Sequence, residues 1–451
     1  MSERSGIGET AFAAHGGRPS SELRACLDRI ERHEPRVRAF TVLAVESALA
    51  SAADSDRRWA AGRPLSDIDG MVIGLKDLIE TADMPTGQGS PLWAGFETRR
   101  DGACVQALRD AGAIILGKTT TTEFAFAQVF HHTTNPHDPT RTPGGSSSGS
   151  AAAVGAGFIH AGMATQVLGS ILRPASFCGC VGFKPSFGAV NRGGAYDHLS
   201  QSCLGVIGRS IGETWAVAAS ISERVGGDPG RLGLTGPASP PPPRKPRTLA
   251  VLHGDGWRTA SDEAKAAFEA ACARLREAGV VLTGREADPA LDAFEEALEG
   301  VEPRVRALLD WEMRWPVGSY RRQDASRVSQ GMLERLEASE ARMSLADYHA
   351  LLAWRDELRA RYARFAGAYD GLVALSATGA APVGLGWTGD PAMNVPASTL
   401  GVPAAGLPVL GDGGAPLGLQ FIGFAHQDRA LMELAEWAWR LFGTPFRMAG
   451  L

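Results

Sequence analysis

An excess of basic charge is missing from this 451-residue chain: 45 lysines and arginines face 50 aspartates and glutamates, for a net charge of −5 and a pI near 6.1. A surface built to hold nucleic acid is therefore not indicated. The six cysteines, Cys26, Cys104, Cys178, Cys180, Cys203 and Cys272, contain no CxxC pair and no zinc-ligand spacing. Cys178 and Cys180 stand too close for an ordinary metal pair and read as small apolar packing. Six scattered cysteines in a chain of this length fit a reducing compartment. The opening MSERSGIGETAFAAHGG has no apolar core ahead of a cleavage site, so no signal peptide is expected and the chain reads as cytoplasmic. A long hydrophobic run is also missing. Residues 150–172 carry no charge, but glycine and alanine dominate and His160, Thr165, Gln166 and Ser170 interrupt. That segment reads as burial inside a soluble protein, not as a membrane span. No internal repeat is present.

What the chain does have is a 44% hydrophobic content, enough for a large core. Leu23, Leu27 and Ile30 share one face of an early amphipathic helix. Residues 70–79 read as a buried strand, 102–112 as a helix and 113–116 as a short strand running into Gly117 and Lys118. A helix is expected after Ser148. The run 238–247, ASPPPPRKPR, is a stiff surface connector and not a domain boundary. Strands are expected at 248–252, 372–375 and 417–422, with a largely helical subdomain at about 288–368 inside a single domain spanning 1–451. The alternation argues for α/β architecture.

Three motifs compete for the chemistry. Gly112 to Thr119 satisfies GxxxxGK[ST], yet a helix end precedes it and the four residues between its glycines are all apolar. A phosphate loop needs a strand before the first glycine and an open polar turn, so these residues read as a buried strand. Gly145 to Gly149 matches GxSxG, but the upstream NPHDPTRTPG, with three prolines, is no central strand for a nucleophile elbow. The third combines Lys76, in the apolar run MVIGLKDLI, with the serines around 146–148 and with Gly169-Ser170. Burial disfavours a charged lysine and would suit it to act as a base. A serine hydroxyl needs such a neighbour to become nucleophilic, and adjacent glycines leave N–H groups free for an oxyanion.

At this point the residues resemble the amidase signature family over nearly the whole chain. The blocks that carry the likeness are GLKD at 74–77, MPTG at 84–87, Gly117-Lys118-Thr119 with Glu123-Phe124, and PGGSS at 143–147. Gly169-Ser170 with Arg173-Pro174-Ala175, GFKP at 182–185, TGDP at 388–391 and PLGLQFIG at 416–423 continue it in order. The resemblance implies a mixed β-sheet sandwiched between layers of α-helices, no cofactor and no metal. It makes Ser170 the acyl-forming nucleophile, Ser146 the bridging serine with a cis peptide bond, and Lys76 the general base and acid. Backbone N–H groups of Val167, Leu168 and Gly169 would form the oxyanion hole, and Phe124, Gln128 and Trp387 would touch substrate. Trp311, Trp315 and Trp354 read as core. His131, His132 and His137 share a loop but have no carboxylate spacing for a metal set.

The chain departs from the family pattern at Gln166, where an acid is usual, at Leu168 in place of a glycine, and at Leu172, which displaces the arginine to 173. A further departure is Ser200 to Cys203, SQSC, where the family reads like SPSLD. If the site needs a positive φ at 168, leucine would be strained there; its side chain is also expected to intrude on the acyl pocket. The leading expectation is a stand-alone amidase that hydrolyses a small carboxamide, with no nucleic-acid or membrane partner and compatible with a homodimer. A second reading is a glutamine-hydrolysing subunit of a tRNA-dependent amidotransferase, which needs a partner. A third is a binding protein with a decayed site.

Overall fold

The computed structural model describes residues 18–126 and 129–443. Its centre is one eleven-stranded mixed sheet in the order β1-β3-β2-β4-β6-β5-β10-β11-β9-β7-β8. The strands are β1 (Phe40–Leu43), β2 (Val72–Lys76), β3 (Ile114–Thr119), β4 (Ala161–Gln166), β5 (Val181–Lys184) and β6 (Cys203–Gly208). The remainder are β7 (Thr248–Val251), β8 (Val281–Thr283), β9 (Gly371–Leu375), β10 (Ala404–Asp412) and β11 (Ala415–Ile422). β2 runs parallel to both β3 and β4, whereas β6, β5, β10, β11 and β9 follow one another antiparallel.

The central strands are buried on both faces, so side chains that alternate along a strand feed two separate cores. Ile114 and Leu116 enter one core and Ile115 the other, just as Leu372 and Ala374 part from Val373 and Leu375. The first core is roofed by the helices Pro19–Val37 and Ser148–Gly155 and by the helical stretch that contains Pro289–Leu298, Val301–Glu312, Gln330–Arg342 and Leu345–Ala363. The second lies under Ala103–Asp110, Ile211–Val225, Asp262–Glu277 and Asp428–Phe442. The result is the helix–sheet–helix sandwich the family resemblance implies.

The uncharged run 150–172 resolves into the rest of helix Ser148–Gly155, the central strand β4, and the turn leading into a short helix, Leu172–Phe177. No helix among the described residues is long and apolar enough to cross a membrane. Glycine has a specific task here. A β-carbon on Gly149 would overlap the Ala39 carbonyl and the Thr120 backbone, so only glycine lets this helix start against the ends of β1 and β3. The strand expected over 70–79 is shorter: it stops at Lys76, because Leu78 and Ile79 turn back to donate to the Lys76 carbonyl.

Candidate active site

β2 carries an apolar sequence up to its last residue, Lys76, whose side chain is fully buried. Its Nζ donates to Ser146 Oγ at 2.8 Å and to Thr165 Oγ1 at 2.8 Å. Thr165 comes from β4, the parallel neighbour of β2, and Ser146 from the loop that enters helix Ser148–Gly155. Among the described residues no carboxylate forms an ion pair with Lys76. Burial therefore dominates and lowers its pKa from 10.5 to about 7, with the negative charge of Asp197 opposing.

The peptide bond between Gly145 and Ser146 is cis. The serines beyond it are used structurally: Ser147 Oγ donates to the Thr165 carbonyl (3.3 Å) and Ser148 Oγ to the Gly144 carbonyl (2.7 Å). Ser146 instead lines a cavity of about 210 Å³ together with Ser170, Val167, Leu168, Arg173, Arg306 and Trp387. No strand leads into Ser147, so the elbow geometry is absent. The phosphate-loop match dissolves as well, since Lys118 sits inside β3 and donates to the Ile79 carbonyl (2.6 Å) and Thr86 Oγ1 (2.8 Å).

The turn 167–171 is held from three directions. Gln166 Oε1 accepts from the N–H groups of Ile171 (2.8 Å) and Leu172 (3.0 Å), tying down the first turn after Ser170. An amide oxygen can do this as an acid would, and Gln166 Nε2 adds a donor that an acid lacks, bonding Ser398 Oγ at 2.9 Å. Ser398 Oγ in turn donates to the Leu168 carbonyl (2.7 Å), and Gln201 Nε2 to the Val167 carbonyl (2.8 Å). Because a trans peptide is planar, its N–H points opposite its C=O. Pinning these two carbonyls therefore orients the N–H groups of Leu168 and Gly169. Among the described residues, the N–H groups of 167–170 have no hydrogen-bond acceptor, which leaves them available to a ligand. Gln201, Ser398 and Thr165 escaped the sequence reading; each is a polar residue fully buried or nearly so, but nothing local announces its distant partner.

The concern about Leu168 is corrected. Its φ is not positive, so leucine is not strained there; it is 8% exposed and lines the cavity. Gly169 is required for another reason, since a β-carbon would lie 2.7 Å from Asn394 Oδ1. Trp387 lines the same cavity and is 60% exposed. Phe124 does not line it. Left-handed backbone at Phe124 and Ala125 (φ 50° and 58°) turns successive side chains apart, so Ala125 and Phe126 face Ser170's cavity. Phe124 packs on Tyr320 (4.7 Å between centroids) in a second cavity of about 500 Å³. Trp311 and Trp315, read as core, line that second cavity too, whereas Trp354 packs against the first core. Gln128 lies outside the described residues. The histidines do not assemble a site: His131 Nδ1 accepts from Thr133 N–H (3.3 Å), and no cluster of three metal-ligating side chains exists among the described residues.

The family model described as Amidase matches residues 22–432. The A-type subunit of the glutamyl-tRNA(Gln) amidotransferase of Chloroflexus aggregans is 40% identical over 259 residues, 54% of this chain and 51% of that protein. The chain thus spans about half the length of such curated relatives. A crystal structure of an amidase superposes with a TM-score of 0.81 at 26% identity, covering 96% of this chain and 98% of the other. The native peptide amidase from Stenotrophomonas maltophilia gives 0.76 at 27% identity, covering 97% and 96%.

Proposed function

The chain belongs to the amidase family, and on that premise we propose that it hydrolyses the C–N bond of a small carboxamide through an acyl-enzyme on Ser170. The observation that carries this reading is the 2.8 Å bond from a fully buried Lys76, which has no ion pair among the described residues, to Ser146, which lines the same cavity as Ser170. A neutral amine there accepts a proton. Ser170 Oγ forms the C–O bond while its proton passes through the Ser146 hydroxyl to Lys76 Nζ. The N–H groups of Leu168 and Gly169 take the charge that develops on the carbonyl oxygen. The C–N bond then breaks as the proton is delivered to the departing nitrogen, and ammonia or an amine leaves. Water attacks the resulting ester, its proton returns along the same relay to Ser170 Oγ, and the carboxylic acid is released.

Purified protein should release ammonia or amine from members of a panel of aliphatic, aryl and ureido amides, and Ser170→Ala should abolish that release. Ser146→Ala should be severe but less absolute, because a water can stand in the relay. A fluorophosphonate should label Ser170; labelling mapped to Ser147, or release that survives Ser170→Ala, would overturn the assignment. The likeness to amidotransferase A-type subunits supports a second reading, glutamine hydrolysis in the service of a partner. Co-purification with a second subunit, together with glutamine turnover that depends on it, would favour that reading.

A further inference from the structure

The second cavity, of about 500 Å³, is left unused by the chemistry at Ser170. It lies where helices Val301–Glu312, Arg314–Asp324 and Leu345–Ala363 meet the segment that leads into β6. Its walls are aromatic: Phe124, Tyr196, Trp311, Trp315, Tyr320 and Tyr348 all line it. A volume of this size falls in the range of small-molecule sites, roughly 300–1,000 Å³. Only a thin wall parts it from Ser170's cavity. Phe124 faces one side and Ala125 the other, and Ser200 lines the second cavity while the next residue, Gln201, bonds the Val167 carbonyl.

Two carboxylates line this cavity, and they differ. Glu312 is satisfied. Its Oε2 accepts from the Ser200 N–H (2.8 Å) and its Oε1 from Ser200 Oγ and the Tyr348 hydroxyl (3.1 Å). Arg355 stands behind Ser200, donating from Nη1 to the same Oγ at 2.8 Å. Asp197 is only 6% exposed, and among the described residues its carboxylate has neither a hydrogen bond nor an ion pair. Arg192 reaches only its main-chain carbonyl (3.5 Å) and is itself paired with Asp228. Lys76, on which its charge acts, spends its donors on Ser146 and Thr165. The guanidinium in the lining, Arg314, is committed as well: it donates to Ser339 and to the Met343 carbonyl (2.9 Å) and lies over the Trp311 ring at 3.8 Å. A buried carboxylate without a partner is costly until a cation completes it.

The aromatic walls decide which kind of cation. No group of three metal-ligating side chains exists among the described residues, whereas ring faces attract an ammonium and bury the hydrocarbon attached to it. Trp311 has both faces taken, one by Arg314 and one by Tyr348, stacked at 5.4 Å. Two rings remain: Trp315, 72% exposed at the rim, and Tyr320, whose hydroxyl has no hydrogen bond among the described residues. We propose that this cavity binds a primary organic ammonium ion, with its head group on Asp197 and its hydrocarbon body against Trp315 and Tyr320. The same chemistry can come from two sources, a free amine or an ammonium-bearing arm of the substrate. The site itself does not depend on the hydrolase reading.

Calorimetry tests the site without turnover. At neutral pH it compares phenethylamine, a cation there, with phenethyl alcohol, its neutral counterpart. The amine should bind the wild type about tenfold or more tightly than the alcohol, and Asp197→Asn should weaken the amine by about tenfold while leaving the alcohol unchanged. Trp315→Ala, at the exposed rim, should weaken both by several-fold, and it decides the matter if Asp197→Asn does not fold. If the wild type does not bind the amine, if amine and alcohol bind alike, or if the variants bind the amine as the wild type does, the site is refuted. The two sources are separated by comparing kcat/KM between amides that end in an ammonium and their neutral isosteres. Both substrates use the same relay, so their ratio is insensitive to the effect of Asp197 on Lys76. A preference of about tenfold for the charged amides, removed by Asp197→Asn, assigns the site to an arm of the substrate. Equal kcat/KM alongside binding of phenethylamine assigns it to a free amine.

Discussion

A lysine whose pKa lies near 7 makes the pH dependence of the reaction a direct test of the relay. In the proposed relay Lys76 accepts the Ser170 proton only as the free amine, and burial holds its pKa at about 7 against 10.5 in water. The free-amine fraction is then about 0.09 at pH 6 and about 0.9 at pH 8, so kcat/KM should rise about tenfold over those two units and level off. An ordinary lysine would still be only about 0.3% free amine at pH 8, and activity would climb without a plateau far into the alkaline range. The sign is set by the base role: activity is lost as pH falls through about 7, because protonation fills the site that must receive the proton. Asp197 raises the Lys76 pKa, so Asp197→Asn should move the midpoint to lower pH. Lys76→Met, close in volume, should remove nearly all turnover and with it this limb of the profile. The assay is initial-rate kinetics on the best amide, with thermal unfolding at each pH to exclude loss of folded protein. A wild-type profile flat from pH 6 to 8, or a limb that persists in Lys76→Met, would refute the reasoning.

Ser398→Ala removes the donor that pins the Leu168 carbonyl, and Gln201→Leu the one that pins the Val167 carbonyl. Complete loss of an oxyanion donor costs about 10²–10³ in kcat; a donor merely loosened should cost about tenfold, seen in kcat with KM little changed, and Ser398→Thr should restore most of it. Leu168→Gly should broaden the accepted acyl groups, because the side chain lines the cavity, and a substrate profile unchanged across a graded acyl series would count against that. The same variant should lower stability by about 2–5 kcal/mol for the lost buried side chain, plus the entropy of glycine, measured by denaturant unfolding.

Much of the architecture was legible in the chain. The alternation of amphipathic helices with short apolar runs announced an α/β sandwich, and β3, β7, β9 and β11 lie where apolar runs between turn residues put them. The central strands β4 and β6 were harder to read. β4 is made of Ala161, Gly162, Met163, Ala164, Thr165 and Gln166, with Thr165 its one β-branched residue. It is a strand because β2 and β6 pair with it on either side, and its small residues suit the helix packed on it, where a β-carbon on Gly162 would lie 2.9 Å from Ser150. Phe124 was misplaced because a left-handed turn reverses the direction of a side chain, and no local pattern in EFAFA encodes it.

The sequence by itself determined which residues are chemically capable: lysines set in apolar strands, serines beside glycines, an arginine displaced by one position. Three such lysines, Lys76, Lys118 and Lys184, are all fully buried and look alike in the chain. The family resemblance pointed to Lys76, but the chemistry of the residues alone does not separate the three; their partners in the tertiary structure do. Lys118 is satisfied by the Ile79 carbonyl and Thr86 and stands 3.8 Å from Asp77; Lys184 donates to the carbonyls of Pro185 and Val402. Lys76 alone of the three meets two hydroxyls, and one of them opens onto Ser170's cavity. The physical reason is range. Backbone propensity and apolar periodicity act over a few residues and place a side chain on a strand. Its hydrogen-bond partners arrive from 70 and 89 residues away along the chain, brought in by the packing of the whole sheet.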